Sequence, residues 1–224
     1  MTSDEAATAG LILAGGLARR MGGGHKMLSR VGGETVLARL IERVRPQVAA
    51  LAVNVNADPR LFAEFGLPLL ADDLPGLPGP LAGVLAGLDW IARERSDLKW
   101  LLTVPGDAPF VPPDLAECLH AVRLRQNADM ACAASAGRTH PVIAIWPVSL
   151  KEALRRALVA EEIRKIDRFT ADYNCAIAEW PAQPLDPFFN VNTPEDLAEA
   201  ERLAATDRLE PTRPPPAARH LPSR

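Results

Sequence analysis

Apolar positions along the first half of the chain alternate between two rhythms. The unbroken run Gly10-Leu-Ile-Leu-Ala14 ends at Gly15-Gly16 and predicts a buried strand entering a loop. Val36, Leu37, Leu40, Ile41 and Val44 recur at helical spacing, and Pro46 stops that pattern. Residues 51–55 (Leu-Ala-Val-Asn-Val) predict a second strand. Residues 69–71 predict a third, running into Asp72-Asp73 and the turn-rich Pro75-Gly-Leu-Pro-Gly-Pro80. Leu81, Val84, Leu88 and Ile91 mark another amphipathic helix. Residues 100–104 predict a fourth strand, closed by Pro105-Gly106-Asp107, and Leu115, Leu119 and Val122 lie on one face of a helix from about Pro112. Strand alternating with helix predicts a mostly parallel, Rossmann-like sheet with helices on both faces, a three-layer α/β/α fold.

The second half is less regular. Residues 130–133 and 142–146 predict strands, and Ser149 with Glu152 reads as a capping box for a helix carrying Leu150, Leu154 and Leu158. Thr193-Pro194 reads as N-cap and first helical residue of a last helix with Leu197, Ala200 and Leu203. No linker and no 20–50-residue repeat divides the chain. The expected organisation is a flexible N-terminus over 1–8, one domain over 9–206, and a Pro/Arg-rich disordered tail over 207–224.

Composition narrows the function classes. The 48% hydrophobic and 24% charged residues suit a globular core. The net charge of −3 argues against nonspecific nucleic-acid binding, so an anionic ligand has to be held by a local constellation. Cys118, Cys132 and Cys175 are sparse and odd in number, which predicts buried free thiols in a reducing compartment. Zinc-ligand spacing is missing among the cysteines and the 4 histidines. The segment with Asp4 and Glu5 lacks a basic leader, and no apolar run nears the roughly 20 residues of a membrane span, so a soluble, cytoplasmic protein is expected.

In an open parallel sheet, ligands sit beyond the carboxyl ends of the strands. Three segments fall there: the loop after Ala14, the step at Asp72, and Gly106-Asp107. The loop reads Gly15-Gly-Leu-Ala-Arg19-Arg20-Met21-Gly22-Gly23-Gly24-His25-Lys26. Its glycines let backbone N–H groups approach a phosphate, while Arg19, Arg20 and Lys26 add fixed charge. It matches neither a P-loop nor an in-register G-x-G-x-x-G. By themselves these residues also fit a plain flexible loop, and Asp107 fits a turn cap.

The whole string resembles the signature loop of the sugar-nucleotidyltransferase-like superfamily, through Leu13-Ala-Gly-Gly16, Arg20-Met21-Gly22 and Lys26. Within it the chain is most similar to the molybdenum cofactor guanylyltransferases. The supporting segments are Val53-Asn-Val-Asn56, Asp72, Pro78-Gly-Pro-Leu-Ala-Gly83, Pro105-Gly-Asp107-Ala-Pro-Phe-Val-Pro112, His140-Pro141 and Phe189-Asn-Val-Asn-Thr-Pro-Glu-Asp-Leu197. The resemblance spans about residues 9–206 and implies the nucleotide-diphospho-sugar transferase fold. One departure stands out: the family commonly has Asp before the loop lysine, and this chain has His25.

The resemblance implies transfer of GMP from Mg·GTP to the terminal phosphate of Mo-bound molybdopterin, releasing pyrophosphate and forming the guanine dinucleotide cofactor. It implies Leu13, Ala14, Gly15, Gly16, Lys26, Asn54, Asp72 and Asp107 around GTP, with Arg20, Lys26 and Asp107 catalytic. Gly15 and Gly16 would cradle the triphosphate and Arg20 would neutralise the leaving pyrophosphate. Lys26 would stabilise the transition state, and Asp107 would hold Mg²⁺. Asp72 is preferred to Asp73 for guanine by the family's spacing. Asn190 and Asn192, on a strand-like segment, would face the pterin. His140 is expected to be structural or to support the site from behind, the four tryptophans core or rim, and Arg164-Lys165 a solvated helix face with the pterin phosphate as an alternative partner. Molybdenum-insertion proteins and apo-molybdoenzymes or their chaperones are the implied further partners. Two alternatives stay open: a nucleotidyltransferase of other specificity, such as a cytidylyltransferase for the same pterin, against which Gly15-Gly16 argues where such relatives show Ala-Gly, and a non-catalytic cofactor carrier.

Overall fold

The computed structural model describes residues 4, 7–14, 26–74, 79–205 and 207. Nine strands are present among them: β1 (Thr8–Leu13), β2 (Arg30–Val31), β3 (Glu34–Thr35), β4 (Ala50–Asn54), β5 (Leu69–Leu70), β6 (Trp100–Pro105), β7 (Met130–Ser135), β8 (Arg138–Pro147) and β9 (Cys175–Trp180). The α-helices among them are α1 (Val36–Val44), α2 (Pro80–Glu94), α3 (Leu115–Arg125), α4 (Lys151–Val159), α5 (Ile166–Thr170) and α6 (Pro194–Ala204). Seven strands form one sheet in the order β5-β4-β1-β6-β8-β7-β9, while β2 and β3 pair as a separate hairpin. Only β8 runs antiparallel to its neighbours β6 and β7, so the sheet is mostly parallel as expected.

Burial on both faces explains the continuous apolar strands. In β1, Leu11 packs with α2 and α4 on one face, and Ile12 packs with α1 and α3 on the other. α1 starts at Thr35, whose side chain accepts from the Ala38 N–H, and buries Val36, Leu37, Leu40 and Val44. On the opposite face α2 contributes Leu81, Val84, Leu85, Leu88 and Ile91. Trp90, Trp146 and Trp180 are buried and Trp100 partly so. All three cysteines are buried and free.

Several expectations need correction. Ser149 does not cap a helix: it lies in a 3-10 turn, Val148–Leu150, and α4 begins after Leu150 without a side-chain cap. The Val148 N–H donates to the Lys99 carbonyl at 2.9 Å, so the strand pairing carries past β8 and delays the helix. Glu152 instead pairs with Lys151 at 3.0 Å. Thr8, assigned to a flexible N-terminus, is fully buried within β1. Asp207, assigned to the tail, is buried and accepts from Arg39 at 2.5 Å and from Arg43. The packed unit therefore takes in both residues. Strand β9, with small residues and a Glu, was not anticipated. Among the described residues no helix is long and apolar enough to cross a membrane.

Candidate active site

Strand order reverses between β1 and β6: the chain steps outward from β1 to β4 and β5, then returns through α2 to β6 on the other side. Ligand crevices of open α/β sheets form at such a point. Leu13 is in register with both Asn54 of β4 and Pro105 of β6. The Ala14 N–H donates to the Asn54 carbonyl at 2.8 Å, and the Gly106 N–H to the Leu13 carbonyl at 2.9 Å. These bonds join three strand ends into one rim. Gly106 keeps this corner tight: a Cβ would fall 2.6 Å from Met27 Cε and 3.1 Å from the Leu13 carbonyl oxygen, so the methionine would have to move.

A cleft of about 390 Å³ opens on this rim, and Leu13, Ala14, Lys26, Asn54, Asp72 and Asp107 all line it. Six residues expected at one site are thus brought together from segments nearly a hundred positions apart. Gly15, Gly16 and Arg20, with Arg19 and His25 of the same loop, lie outside the described residues.

One end of the cleft is a carboxylate held by two amides. Asn54 Nδ2 donates to Asp72 Oδ1 at 2.9 Å and to the Leu70 carbonyl at 3.1 Å. Asn56 Nδ2 donates to Asp72 Oδ2 at 2.7 Å, and its own oxygen accepts from the Asp72 N–H at 2.9 Å. Asn56 was not anticipated as a site residue, although its i, i+2 spacing from Asn54 places both on one side of an extended segment. Asp73 is exposed and does not line the cleft. The first turn of α2 closes over Asn54 at Gly83, where a Cβ would lie 2.4 Å from Asn54 Oδ1.

The other end carries opposite charges. Burial pushes the Asp107 carboxyl above its usual range, while the nearby Lys26 charge and its own backbone N–H pull it back down. Lys26 opens a 3-10 turn, Lys26–Leu28, whose Met27 is buried. Its Nζ donates to Asn192 Oδ1 at 2.6 Å. The loop bearing Asp107 is pinned from two sides: the Val191 N–H donates to the Asp107 carbonyl at 2.8 Å, and buried Arg43 donates to the Val111 carbonyl at 3.1 Å.

Residues 189–192 are not strand-like: they form an irregular connection into α6. Its backbone bonds go to the Asp107 loop and to Asp196 instead of to a sheet edge. Asn190 is exposed and does not line the cleft, whereas Asn192 reaches Lys26. His140 Nε2 lies 2.8 Å from Ser135 Oγ, and its ring packs 5.0 Å from Phe188. Burial lowers its pKa against the pull of Asp186, consistent with a structural imidazole. Arg164 and Lys165 are exposed, as expected, but on the irregular segment that leads into α5 and not on a helix face.

Among the described residues no cluster of three or more His, Cys, Asp or Glu could cage a metal. Asp107 offers a hard, partly desolvated carboxylate oxygen at the strand end. That donor set suits a cation such as Mg²⁺, which commonly takes one or two protein carboxylates and fills its octahedron with phosphates and water.

Comparison with known proteins agrees with this geometry. Residues 10–180 match the model of the MobA-like NTP transferase domain. A molybdenum cofactor guanylyltransferase from Rhodopseudomonas palustris (strain BisB5) is 62% identical over 205 residues, covering 92% of this chain and 98% of that protein. One from Nitrobacter hamburgensis is 54% identical over 207 residues, covering 92% and 99%. Among solved structures, molybdopterin-guanine dinucleotide biosynthesis protein A from Archaeoglobus fulgidus superposes with a TM-score of 0.70 at 23% identity, covering 89% and 99%. A CMP:2-keto-3-deoxy-manno-octonic acid synthetase complexed with CTP gives 0.65 at 16%, covering 91% and 100%, a likeness of fold alone. With a seven-stranded sheet of this topology, a cleft at its switch point and a family model matched over most of its length, the chain belongs to the MobA-like NTP transferase family.

Proposed function

We propose that this chain is a molybdenum cofactor guanylyltransferase. It transfers GMP from GTP to the terminal phosphate of Mo-bound molybdopterin. A phosphate oxygen of the pterin forms a new bond to the α-phosphorus of GTP while the bond from that phosphorus to the β-bridging oxygen breaks. Pyrophosphate leaves, and the guanine dinucleotide cofactor remains. The observation that carries this reading is the placing, in one cleft, of an amide-held carboxylate together with Asp107 and Lys26. Relatives named molybdenum cofactor guanylyltransferase at 62% and 54% identity support the same substrates.

Bringing two anionic phosphates together makes positioning and charge neutralisation the main tasks. Lys26, which lines the cleft, would meet the α-phosphate with its ammonium as charge develops. Asp107 would hold Mg²⁺, whose charge, when bound, offsets that of the phosphates. Gly15, Gly16 and Arg20 would serve the triphosphate. At the far end Asp72 reads guanine. Each of its oxygens already accepts one amide hydrogen, yet a carboxylate has about four acceptor positions. Two remain for guanine N1–H and the 2-amino group, donors that adenine and cytosine do not present in that arrangement. Leu13 and Ala14 would form the floor beneath the base. Asn190 remains a proposed pterin contact, on exposed chain beside the cleft.

Pyrophosphate release measured with each of the four NTPs, with Mg²⁺ and Mo-bound molybdopterin present, tests the reading. Release with GTP alone is the expected result. Release with CTP assigns the chain to the cytidylyl alternative, and binding without release with any nucleotide assigns it to a carrier.

A further inference from the structure

We propose that Asn192 is the positioning residue for Lys26, a role that rests on the guanylyl-transfer reading above. A lysine ammonium is a compact charge on a flexible four-carbon stem, so it acts at one phosphate only if something fixes its direction. The residue before Lys26 is His25, so no carboxylate adjoins the lysine there to fix it. The structure supplies another partner. Lys26 Nζ donates to Asn192 Oδ1 at 2.6 Å, across 166 positions of sequence. Lysine has donors and no acceptor, so the amide must turn its oxygen towards it.

Asn192 stands on a rigid platform. Its own N–H and that of Thr193 both donate to Asp196 Oδ2 at 2.9 Å, and Thr193 Oγ1 accepts from the Asp196 N–H at 3.1 Å. This capping box fixes the first turn of α6 and with it the backbone that carries the amide. One residue earlier, the Val191 N–H holds the Asp107 carbonyl at 2.8 Å. The same short segment therefore registers the loop of the carboxylate and aims the lysine. A neutral amide does this without cancelling charge. A carboxylate partner would orient Lys26 equally well but would weaken its field at the phosphate.

Steady-state pyrophosphate release and a double-mutant cycle test the role. Asn192→Ala should lower kcat about 10- to 150-fold, the loss expected for one hydrogen bond to a charged group, with KM for GTP and for the pterin near wild type. In the Lys26→Ala background the same substitution should cost little more, because its target is already gone. Asn192→Asp keeps an acceptor and should recover part of kcat. Additive losses, or a raised pterin KM with kcat intact, would overturn the proposal, as would a shifted Mg²⁺ requirement with no coupling to Lys26. A second readout needs no turnover. In nucleotide-free protein the Lys26 ammonium, followed by ¹H–¹⁵N NMR, should exchange slowly with water in the wild type and in Asn192→Asp, and fast in Asn192→Ala. Equal exchange in all three overturns the positioning role even in an active enzyme. Wild type that is silent with every NTP, with slow exchange preserved, overturns the guanylyl-transfer reading instead.

Discussion

Gly83→Ala adds one methyl group and should disable the base end of the cleft. In a helix interior, glycine to alanine ordinarily stabilises by about 1 kcal/mol. Here the new Cβ would lie 2.4 Å from Asn54 Oδ1, 2.6 Å from Leu13 Cδ2 and 3.0 Å from Asn54 Cγ. The two shortest force side chains to shift, and Asn54 and Leu13 sit on adjacent central strands that cannot drift apart without breaking their pairing. Overpacking of this kind costs about 1–3 kcal/mol. The Asn54 side chain is the part that can move, and moving it removes its hydrogen bond to the Asp72 carboxylate, worth a further ~1.5–3 kcal/mol. Subtracting the helix gain leaves a net loss of roughly 1.5–5 kcal/mol, so the clash should win. Denaturant unfolding would measure that loss, and calorimetric titration with GTP should show weaker binding as Asp72 loses one of its two holders. Asn54→Ala with Gly83→Ala should be less destabilised than the sum of the singles, since the amide that clashes is gone. A Gly83→Ala protein as stable as wild type, binding GTP with unchanged affinity, would refute the reasoning from contact distance to site geometry.

Asp107→Asn should abolish turnover in pyrophosphate-release assays, because a neutral amide is a poor ligand for a hard dication. In metal-free buffer the same variant should melt higher than wild type at neutral pH. The native Asp107 carboxyl binds its proton more tightly than an unfolded one, so wild type loses stability as pH rises through the carboxylate range, and the gap should close in acid. Asp72→Ala should shrink the preference for GTP over ITP, which lacks the 2-amino group, from about 10- to 150-fold towards none. Titration of both nucleotides into both proteins decides it, and an unchanged preference removes Asp72 from base reading. The Cys118 thiol, pushed up to about 12 chiefly by burial and further by Asp114 and Glu117, should resist iodoacetamide in the native protein at pH 8 and react once it is unfolded.

The parallel half of the sheet was legible because strands covered on both faces must be continuously apolar, and the runs around Leu11, Val53 and Leu102 are. Strand β9 was not, since Cys175-Ala-Ile-Ala-Glu-Trp180 is built largely of small residues and interrupted by a Glu, and as an edge strand it pairs only with β7. Ser149 misled because a capping pattern is local, whereas the start of α4 is set by a bond from Val148 to Lys99, far away in sequence. At the site the same division holds. Asp72, Asp107 and Lys26 could be chosen from strand ends and family spacing. That Asn56 would hold Asp72, and Asn192 would hold Lys26, depends on contacts 16 and 166 positions apart that no local pattern records.

The cleft handles its charged groups through neutral amides. Asn54 and Asn56 donate to Asp72, and Asn192 accepts from Lys26, so one residue type orients an anion at one end and a cation at the other. An arginine in place of Asn54 or Asn56 would hold Asp72 more tightly, but it would neutralise the carboxylate and occupy the acceptor positions a base must use. An aspartate in place of Asn192 would hold Lys26 and dull its charge. Amides fix direction and leave the charge undiminished. In a chain of net charge −3 that brings a triphosphate and a pterin phosphate together, the field at each end of the cleft has to come from one or two groups. Orienting those few groups through amides adds no counter-charge beyond the one that Asp107 already sets beside Lys26.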